Sequence, residues 1–204
     1  MSSFRQLMMR NKGGGEHYET LTLAKNGSPT IVDGIVSGFS YNNYLSFYKS
    51  LNAPFEFKLK LKMTSIVQNT GYGFLGHTGS SGVMSLFFAQ DPNMPIKSSV
   101  LLSTNSYSWS ISDQTGTVGL DINTWFFFKL RFTGTQYISE ISFDDVTYTQ
   151  NTLATSSQYI NSGGSFYICL GKAKSTQWVF SNGQIDLNES RFTFDGVKYK
   201  FEIA

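Results

Sequence analysis

The chain has 204 residues, of which 40% are apolar and 15% are charged, against about 25% charged residues in an average soluble domain. Aromatic residues make up 16% of the chain, which excludes a disordered protein, and a net charge of +2 gives no basic patch of the kind that follows a phosphate backbone. One cysteine excludes an intramolecular disulfide framework and a zinc site built on cysteines. A weakly charged polar surface around an aromatic core predicts an all-β protein.

Residues 1–16 are predicted to form an N-terminal arm that ends in a glycine hinge at 13–15, ahead of one domain over residues 17–204. The arm mixes apolar and basic side chains, and it has no apolar run of the length found in a secretory signal. Two alternatives stay open for it: a disordered terminus, and a docking arm that gains structure on a partner. The residues assigned to docking are Phe4, Arg5, Leu7, Met8, Met9 and Arg10.

From residue 17 onward, the alternation of apolar and polar side chains predicts short β-strands. The segment 55–63 is the clearest case, because every second residue is apolar and the residues between are Glu or Lys. We expect this lysine row to be a solvated or an edge-protecting face. The predicted strands lie near 19–24, 30–39, 44–48, 55–63, 70–77, 82–89, 98–103, 107–112, 116–121, 125–133, 136–143, 146–149, 165–171, 179–187, 191–195 and 197–203, with a long loop over 150–164.

Residues typical of turns lie between several of these predicted strands. Gly134 and the pair Asp195 and Gly196 are typical of hairpin turns, and Asp144 and Asp145 also read as turn residues. Many short strands in one domain predict two packed antiparallel sheets, a jelly-roll sandwich. Two alternating patterns indicate its core: one puts Phe126, Phe128, Leu130 and Phe132 on an inward face, and the other makes Cys169 a buried structural thiol.

Two segments resemble a known family. One is Trp125-Phe-Phe-Phe-Lys-Leu-Arg-Phe-Thr-Gly-Thr-Gln-Tyr137 with the strand that returns to Asp144. The other is Phe180-Ser-Asn-Gly-Gln-Ile-Asp-Leu-Asn-Glu-Ser190 with the segment 192–199. Over about residues 17–204 the chain is similar to laminin-G-like and concanavalin A-like jelly-roll domains of the kind found in phage tail, fiber and other virion surface proteins.

This resemblance implies a non-enzymatic virion structural protein, either a fiber, a tail-associated protein or a capsid-decorating protein. The arm would contact other virion proteins, and several copies would display the sandwich to a host-surface glycan or protein. We expect synthesis in the host cytoplasm and a final place in the virion, with no nucleic-acid partner and no membrane insertion. Two alternatives stay open: a free carbohydrate-binding lectin or adhesin module of bacterial origin, and a purely architectural virion protein.

Catalytic chemistry finds little support in the sequence. Retaining glycosidases hold two carboxyl groups about 5–5.5 Å apart, whereas Glu140 and Asp144 would lie roughly 13 Å apart along one strand at about 3.3 Å per residue. His17 and His77 are not in a metal-binding spacing. No cofactor is expected. Calcium stays an open alternative, with eligible oxygen ligands on Asp113, Asp121, Asp186 and Asn188 but no ordered ligand series.

Aromatic and amide side chains share several predicted loops, which is the combination that binds sugars, because a pyranose has apolar faces and hydroxyl edges. Packing at the rim of the sandwich is the alternative role of each aromatic residue. The predicted ligand-binding residues are Tyr41, Asn42, Tyr44, Tyr72, Trp109, Gln177 and Trp178, with Asn43 as a further hydrogen-bonding group.

Overall fold

A computed structural model describes residues 16–67, 70–77, 82–88, 96–103, 109–155, 167–174 and 177–204, and the secondary structure in these ranges is β. Its strands are β1 (Glu19–Asn26), β2 (Thr30–Val32), β3 (Ile35–Ser37), β4 (Tyr44–Tyr48), β5 (Phe55–Met63), β6 (Gly71–His77), β7 (Gly82–Phe88), β8 (Lys97–Ser103), β9 (Trp109–Thr115), β10 (Phe126–Phe132), β11 (Gln136–Ser142), β12 (Thr149–Thr155), β13 (Tyr167–Leu170), β14 (Lys172–Lys174), β15 (Gln177–Val179), β16 (Gly183–Phe194) and β17 (Val197–Ile203). These ranges contain no helix of the length and apolarity needed to cross a membrane.

Fifteen of the described strands form two sheets that strand β1 joins, and β14 and β15 form a separate two-stranded hairpin. The first sheet has the order β12-β11-β10-β5-β16-β17-β1, with the hairpin β2-β3 added beside β16, and the second has the order β1-β4-β13-β6-β7-β8-β9. Residues 19–23 of β1 pair with β17, and residues 24–26 pair with β4. The β1–β17 pairing is parallel. The expected antiparallel sandwich is therefore a mixed, continuous sheet that curls into two layers.

Aromatic rings from both sheets meet in one core. Phe74 of the second sheet packs edge-to-face on Phe128 of the first, with ring centroids 4.9 Å apart. Phe47 contacts Phe192 across the layers in a tilted arrangement, at 5.5 Å. Phe128 has 0% of its surface exposed, and Cys169 is also buried. The predicted inward face of β10 and the predicted burial of the thiol are confirmed.

The lysine row of β5 is not at an edge, because β5 lies between β10 and β16. Its ammonium groups are held by neighbours on the outer face: Lys58 pairs with Asp145 at 2.7 Å and Lys60 with Asp186 at 3.1 Å. Lys62 lies 4.7 Å from the centre of the Trp125 ring. The edge-protecting interpretation is wrong, and ion pairs and cation–π contacts stabilise this row instead.

Several predicted boundaries are also wrong. The segment 30–39 is a hairpin of β2 and β3, because Asp33 and Gly34 take positive φ values of 50° and 78° and turn the chain. Residues 150–155 belong to strand β12 rather than to a loop, and residues 116–121 contain only an isolated bridge at Leu120. Of the two strands predicted over 179–195, Val179 ends β15, and the part from Gly183 to Phe194 is one strand, β16, with an irregularity between Asp186 and Arg191. The hairpin turns at Gly134 and at 195–196 are confirmed.

Candidate functional site

An open cleft of about 450 Å³ lies at one end of the second sheet. Three stretches of chain meet there: the loop between β3 and β4, the start of β6, and the end of the β14–β15 hairpin with the turn that follows it. The described residues that line it contribute rings and hydroxyl groups and no charged side chain. They are Phe39, Ser40, Tyr41, Thr70, Gly71, Tyr72, Trp178, Val179 and Ser181.

The first wall is the loop 39–41. Phe39 is buried and stacks on Phe180, with ring centroids 6.1 Å apart. Its ring occupies the space where Gly171 would carry a Cβ, and Gly171 has a φ of 87°. A glycine is required there for both reasons. The loop is thus anchored at Phe39, while Tyr41 leaves 55% of its surface exposed.

The second wall is Trp178, whose backbone has a φ of 50°. Positive φ is rare for a bulky side chain and costs free energy, so surrounding contacts must hold it. One such contact is with Gly71 on β6, where a Cβ added to the glycine would lie 2.7 Å from Trp178 Cδ1 and 3.0 Å from Nε1. The indole therefore lies directly against the β6 backbone at a position that only glycine leaves open.

Tyr72 forms a buried part of the cleft. It is 3% exposed, and its hydroxyl accepts a hydrogen bond from the Val67 amide at 2.8 Å. A ring buried to this extent presents little face to a ligand. The structure thus places Tyr72 at the cleft as a supporting residue rather than as the exposed stacking platform that its sequence context suggested.

A buried lysine lies behind the first wall. The ammonium of Lys172 donates to the Tyr41 carbonyl at 2.8 Å and lies 4.5 Å from the centre of the Tyr44 ring. Burial raises the pKa of the Tyr44 hydroxyl, and it raises the pKa of the nearby Cys169 thiol to about 12. Both groups stay protonated at neutral pH, so neither has the charge state of a base or a nucleophile.

The predicted binding residues separate into three groups. Tyr41, Tyr72 and Trp178 come together in the cleft. Asn42 lies beside it in the loop before β4, and the half-buried Tyr44 is the first residue of β4. In that loop the Asn42 amide donates to Ser40 Oγ at 3.3 Å, and Asn43 Oδ1 accepts from the Ser28 amide at 3.0 Å.

The third group lies elsewhere or beyond what is described. Trp109 begins β9, which β7 and β8 separate from β6, so its strand is not at the cleft. Gln177 precedes Trp178 in β15, and its side chain lies outside the described part of the chain, as do those of Trp109, His77 and Asp113. The docking residues Phe4, Arg5, Leu7, Met8, Met9 and Arg10 also fall outside the described residues.

Several carboxylates in the described ranges have structural partners. Asp144 Oδ1 accepts from the amides of Val146 and Thr147 at 2.9 and 2.8 Å, which confirms the predicted turn, and Glu140 pairs with Arg131 at 3.4 Å. In those ranges no three His, Cys, Asp or Glu side chains are grouped closely enough to hold a metal ion.

The cleft and the N-terminus of the domain lie at opposite ends of β1. At the first end, Glu16 pairs with Lys198 and the Tyr18 ring lies 5.1 Å from the Arg191 guanidinium. At the other end, Asn26 pairs with Tyr44, next to the loop that forms the first wall. Eight residues of strand separate these ends by about 23 Å at ~3.3 Å per residue.

Sequence comparison finds no matching family model and no matching curated protein. Structure comparison does find similar folds. The VIP36 exoplasmic/lumenal domain in its Ca2+/Man-bound form gives a TM-score of 0.55 at 10% identity, covering 84% of this chain and 82% of that chain. Domain 4 of AbnA, a GH43 extracellular arabinanase from Geobacillus stearothermophilus, in complex with arabinotriose, gives 0.53 at 14% identity, covering 85% and 81%.

A native heptameric SAP-like pentraxin from Limulus polyphemus gives a TM-score of 0.50 at 8% identity, covering 83% of this chain and 74% of that chain. Identities this low bear on the fold alone. The pairing order, the two layers and these neighbours together show that the chain has the concanavalin A-like jelly-roll fold.

Proposed function

We propose that the chain is a non-enzymatic glycan-binding module whose cleft holds a saccharide between Tyr41 and Trp178. The observation that carries the proposal is the meeting of these two aromatic residues at one cleft, which the hydroxyl-bearing residues Ser40, Thr70 and Ser181 also line. Aromatic faces pack against the C–H faces of a sugar ring, and hydroxyl groups exchange hydrogen bonds with its edges.

The neighbours of the same fold support this choice of ligand class. The VIP36 domain is described with bound Man and domain 4 of AbnA with arabinotriose. Neither sugar is assigned to this chain. What the comparison supports is the use of this sheet architecture to present a saccharide site.

A shallow open cleft gives weak binding at each site. It buries little area, which must still offset the lost translational and rotational freedom of the ligand. We expect a single-site dissociation constant on the order of 0.1–1 mM, or about 4–5.5 kcal/mol. Useful adhesion then requires several copies on one particle, because each bound site raises the effective concentration seen by the next.

The proposed setting is a phage virion, as a fiber, tail-associated or capsid-decorating protein in several copies. The placement of the cleft beside the far end of β1, a strand about 23 Å long, supports it. An arm over residues 1–15 that docks onto other virion proteins would leave the domain at the end where Glu16 pairs with Lys198. The cleft at the opposite end would then face away from the particle and toward the host surface.

The test of the ligand is an array of host-surface glycans probed with a multivalent display of the domain. The parent should bind, and Trp178→Ala and Tyr41→Ala should each weaken binding about tenfold per site. Matched controls are Trp125→Ala on the outer face of the first sheet and Tyr48→Ala, whose side chain is 57% exposed away from the cleft. Binding should also survive EDTA. Binding that the controls weaken as much as the cleft variants would contradict the site, and no binding to any host glycan would favour an architectural role.

The test of the docking arm is deletion of residues 1–15. The truncated domain should keep the thermal stability of the parent but fail to enter particles that assemble in its presence. Incorporation at the level of the full chain would reject the docking role while leaving the glycan site untouched.

A further inference from the structure

We infer that Lys172 is a positioning residue for the cleft, an inference that rests on the proposed glycan binding. Its ammonium joins the two walls, because it bonds to the Tyr41 carbonyl of the loop while its own strand belongs to the hairpin that carries Trp178. The predicted consequence is that Tyr41 holds its place at the cleft only while this contact exists.

The burial of Lys172 is the first line of support. The residue is 6% exposed, and lysine is almost never buried to this degree unless it is paired with a carboxylate. No ion pair in the described part of the chain involves it. The ammonium instead has a backbone carbonyl at 2.8 Å and the face of the Tyr44 ring at 4.5 Å. The carbonyl belongs to the loop, and Tyr44 begins β4 directly after it, so the cation is directed at the end of that loop.

The geometry of the hairpin is the second line of support. Lys172 pairs with Val179 across β14 and β15, and Val179 is the cleft residue next to Trp178. A single side chain therefore spans from the hairpin wall to the loop wall. The packing of Phe39 fixes the start of the loop, whereas Tyr41 is largely exposed. The bond from Lys172 supplies the anchor at that position.

If Lys172 served only to stabilise the fold, its replacement would lower the melting temperature. The positioning role predicts a different result. Replacing a buried charge by an apolar residue of similar volume is often neutral or stabilising, because the desolvation penalty of the charge disappears. Lys172→Met should therefore fold with a melting temperature no lower than that of the parent. The Tyr41 carbonyl would bond to water instead, and the loop would lose its anchor at Tyr41. The order of the cleft should fall without a loss of stability.

The experiment compares Lys172→Met, Lys172→Arg and the parent by hydrogen exchange of the backbone amides over residues 40–44, without ligand. We expect at least tenfold faster exchange in Lys172→Met, and recovery toward the parent in Lys172→Arg, which keeps a donor and a charge. Lys49→Met is the matched control, since Lys49 also donates to a tyrosine, Tyr199, and lies over the Phe194 ring at the other end of the domain. It should leave exchange over residues 40–44 unchanged.

The same variants are then probed on the glycan that the parent binds best. Lys172→Met should bind about fivefold more weakly per site, at a melting temperature no lower than that of the parent. Exchange over residues 40–44 that matches the parent would overturn the inference, whatever the glycan result, and so would faster exchange with unchanged affinity. If the parent binds no glycan, the proposed function fails, and the exchange result alone decides whether Lys172 positions the loop.

Discussion

The contact between Trp178 and Gly71 gives a graded test of the cleft through Gly71→Ala. The added methyl group would lie 2.7 Å from Trp178 Cδ1, whereas ordinary contacts of a Cβ begin near 3.4 Å. The indole must therefore move by about 0.7–1 Å. A gap of this size between two surfaces forfeits about a quarter to a half of their dispersion energy.

The expected loss of affinity follows from the free energy that the Trp178 ring contributes to sugar binding. If a sugar gains about 1.5 kcal/mol from the indole, as strong aromatic contacts do, then removing the ring in Trp178→Ala costs about tenfold in affinity. A displaced ring in Gly71→Ala should cost about 0.4–0.8 kcal/mol, or about two- to fourfold. The substitution should change the free energy of unfolding by less than about 1 kcal/mol, because the lower chain entropy of the unfolded alanine variant offsets part of the strain.

The assay is isothermal titration calorimetry of the monomeric domain with the best array glycan. Urea unfolding of each variant gives its stability. The order parent, Gly71→Ala, Trp178→Ala in falling affinity would support the geometry. Affinity of Gly71→Ala equal to that of the parent, with Trp178→Ala still impaired, would show that the indole does not need its position against β6. Equal affinity of all three would remove Trp178 from the site.

Three further predictions concern the scaffold. Phe128→Ala should destabilise the domain by about 3–5 kcal/mol in urea unfolding, since the ring is fully buried; a loss under about 1 kcal/mol would contradict the packing. Backbone hydrogen bonds from Thr147 and Val146 lower the pKa of Asp144 from 3.8 to about 2, so the stability that its ionised form contributes is complete above about pH 5 and is lost as the pH falls through 2. Asp144→Ala should thus be less stable than the parent at pH 7, and the difference should shrink steeply between about pH 5 and pH 2. Cys169, with its raised pKa, should react with iodoacetamide at pH 8 only after unfolding, and rapid labelling of the folded domain would refute its burial.

Local patterns predicted most of the strands. The alternation over 55–63 and the turn at Asp144 are confirmed because both depend on neighbours in sequence. The parallel pairing of β1 with β17 was not predictable in this way, because the sequence of a strand does not show which strand it pairs with. Strand β12 was mistaken for a loop because its polar residues lack strict alternation, and its pairing with β11 overrides that weak local signal.

Only some of the residues that line the candidate cleft could be predicted from the sequence, for a similar reason. Tyr41 and Trp178 were identified because exposed aromatic residues in polar loops are a compositional signal. Gly71 and Lys172 were missed because their roles come from contacts with residues about 107 and 131 positions away, which no local pattern shows. The positive φ of Trp178 likewise depends on the folded hairpin, so the sequence alone does not predict it.

The most direct test of the glycan-binding cleft is a nuclear magnetic resonance titration of the 15N-labelled domain with the best array glycan. The account predicts that the largest shift changes fall on the amides of Gly71 and Ser181 and on the indole N–H of Trp178, with little change at Tyr48 or Tyr167, which lie toward the other end of their strands. Changes centred on Tyr48 and Tyr167, with the cleft signals unmoved, would contradict it.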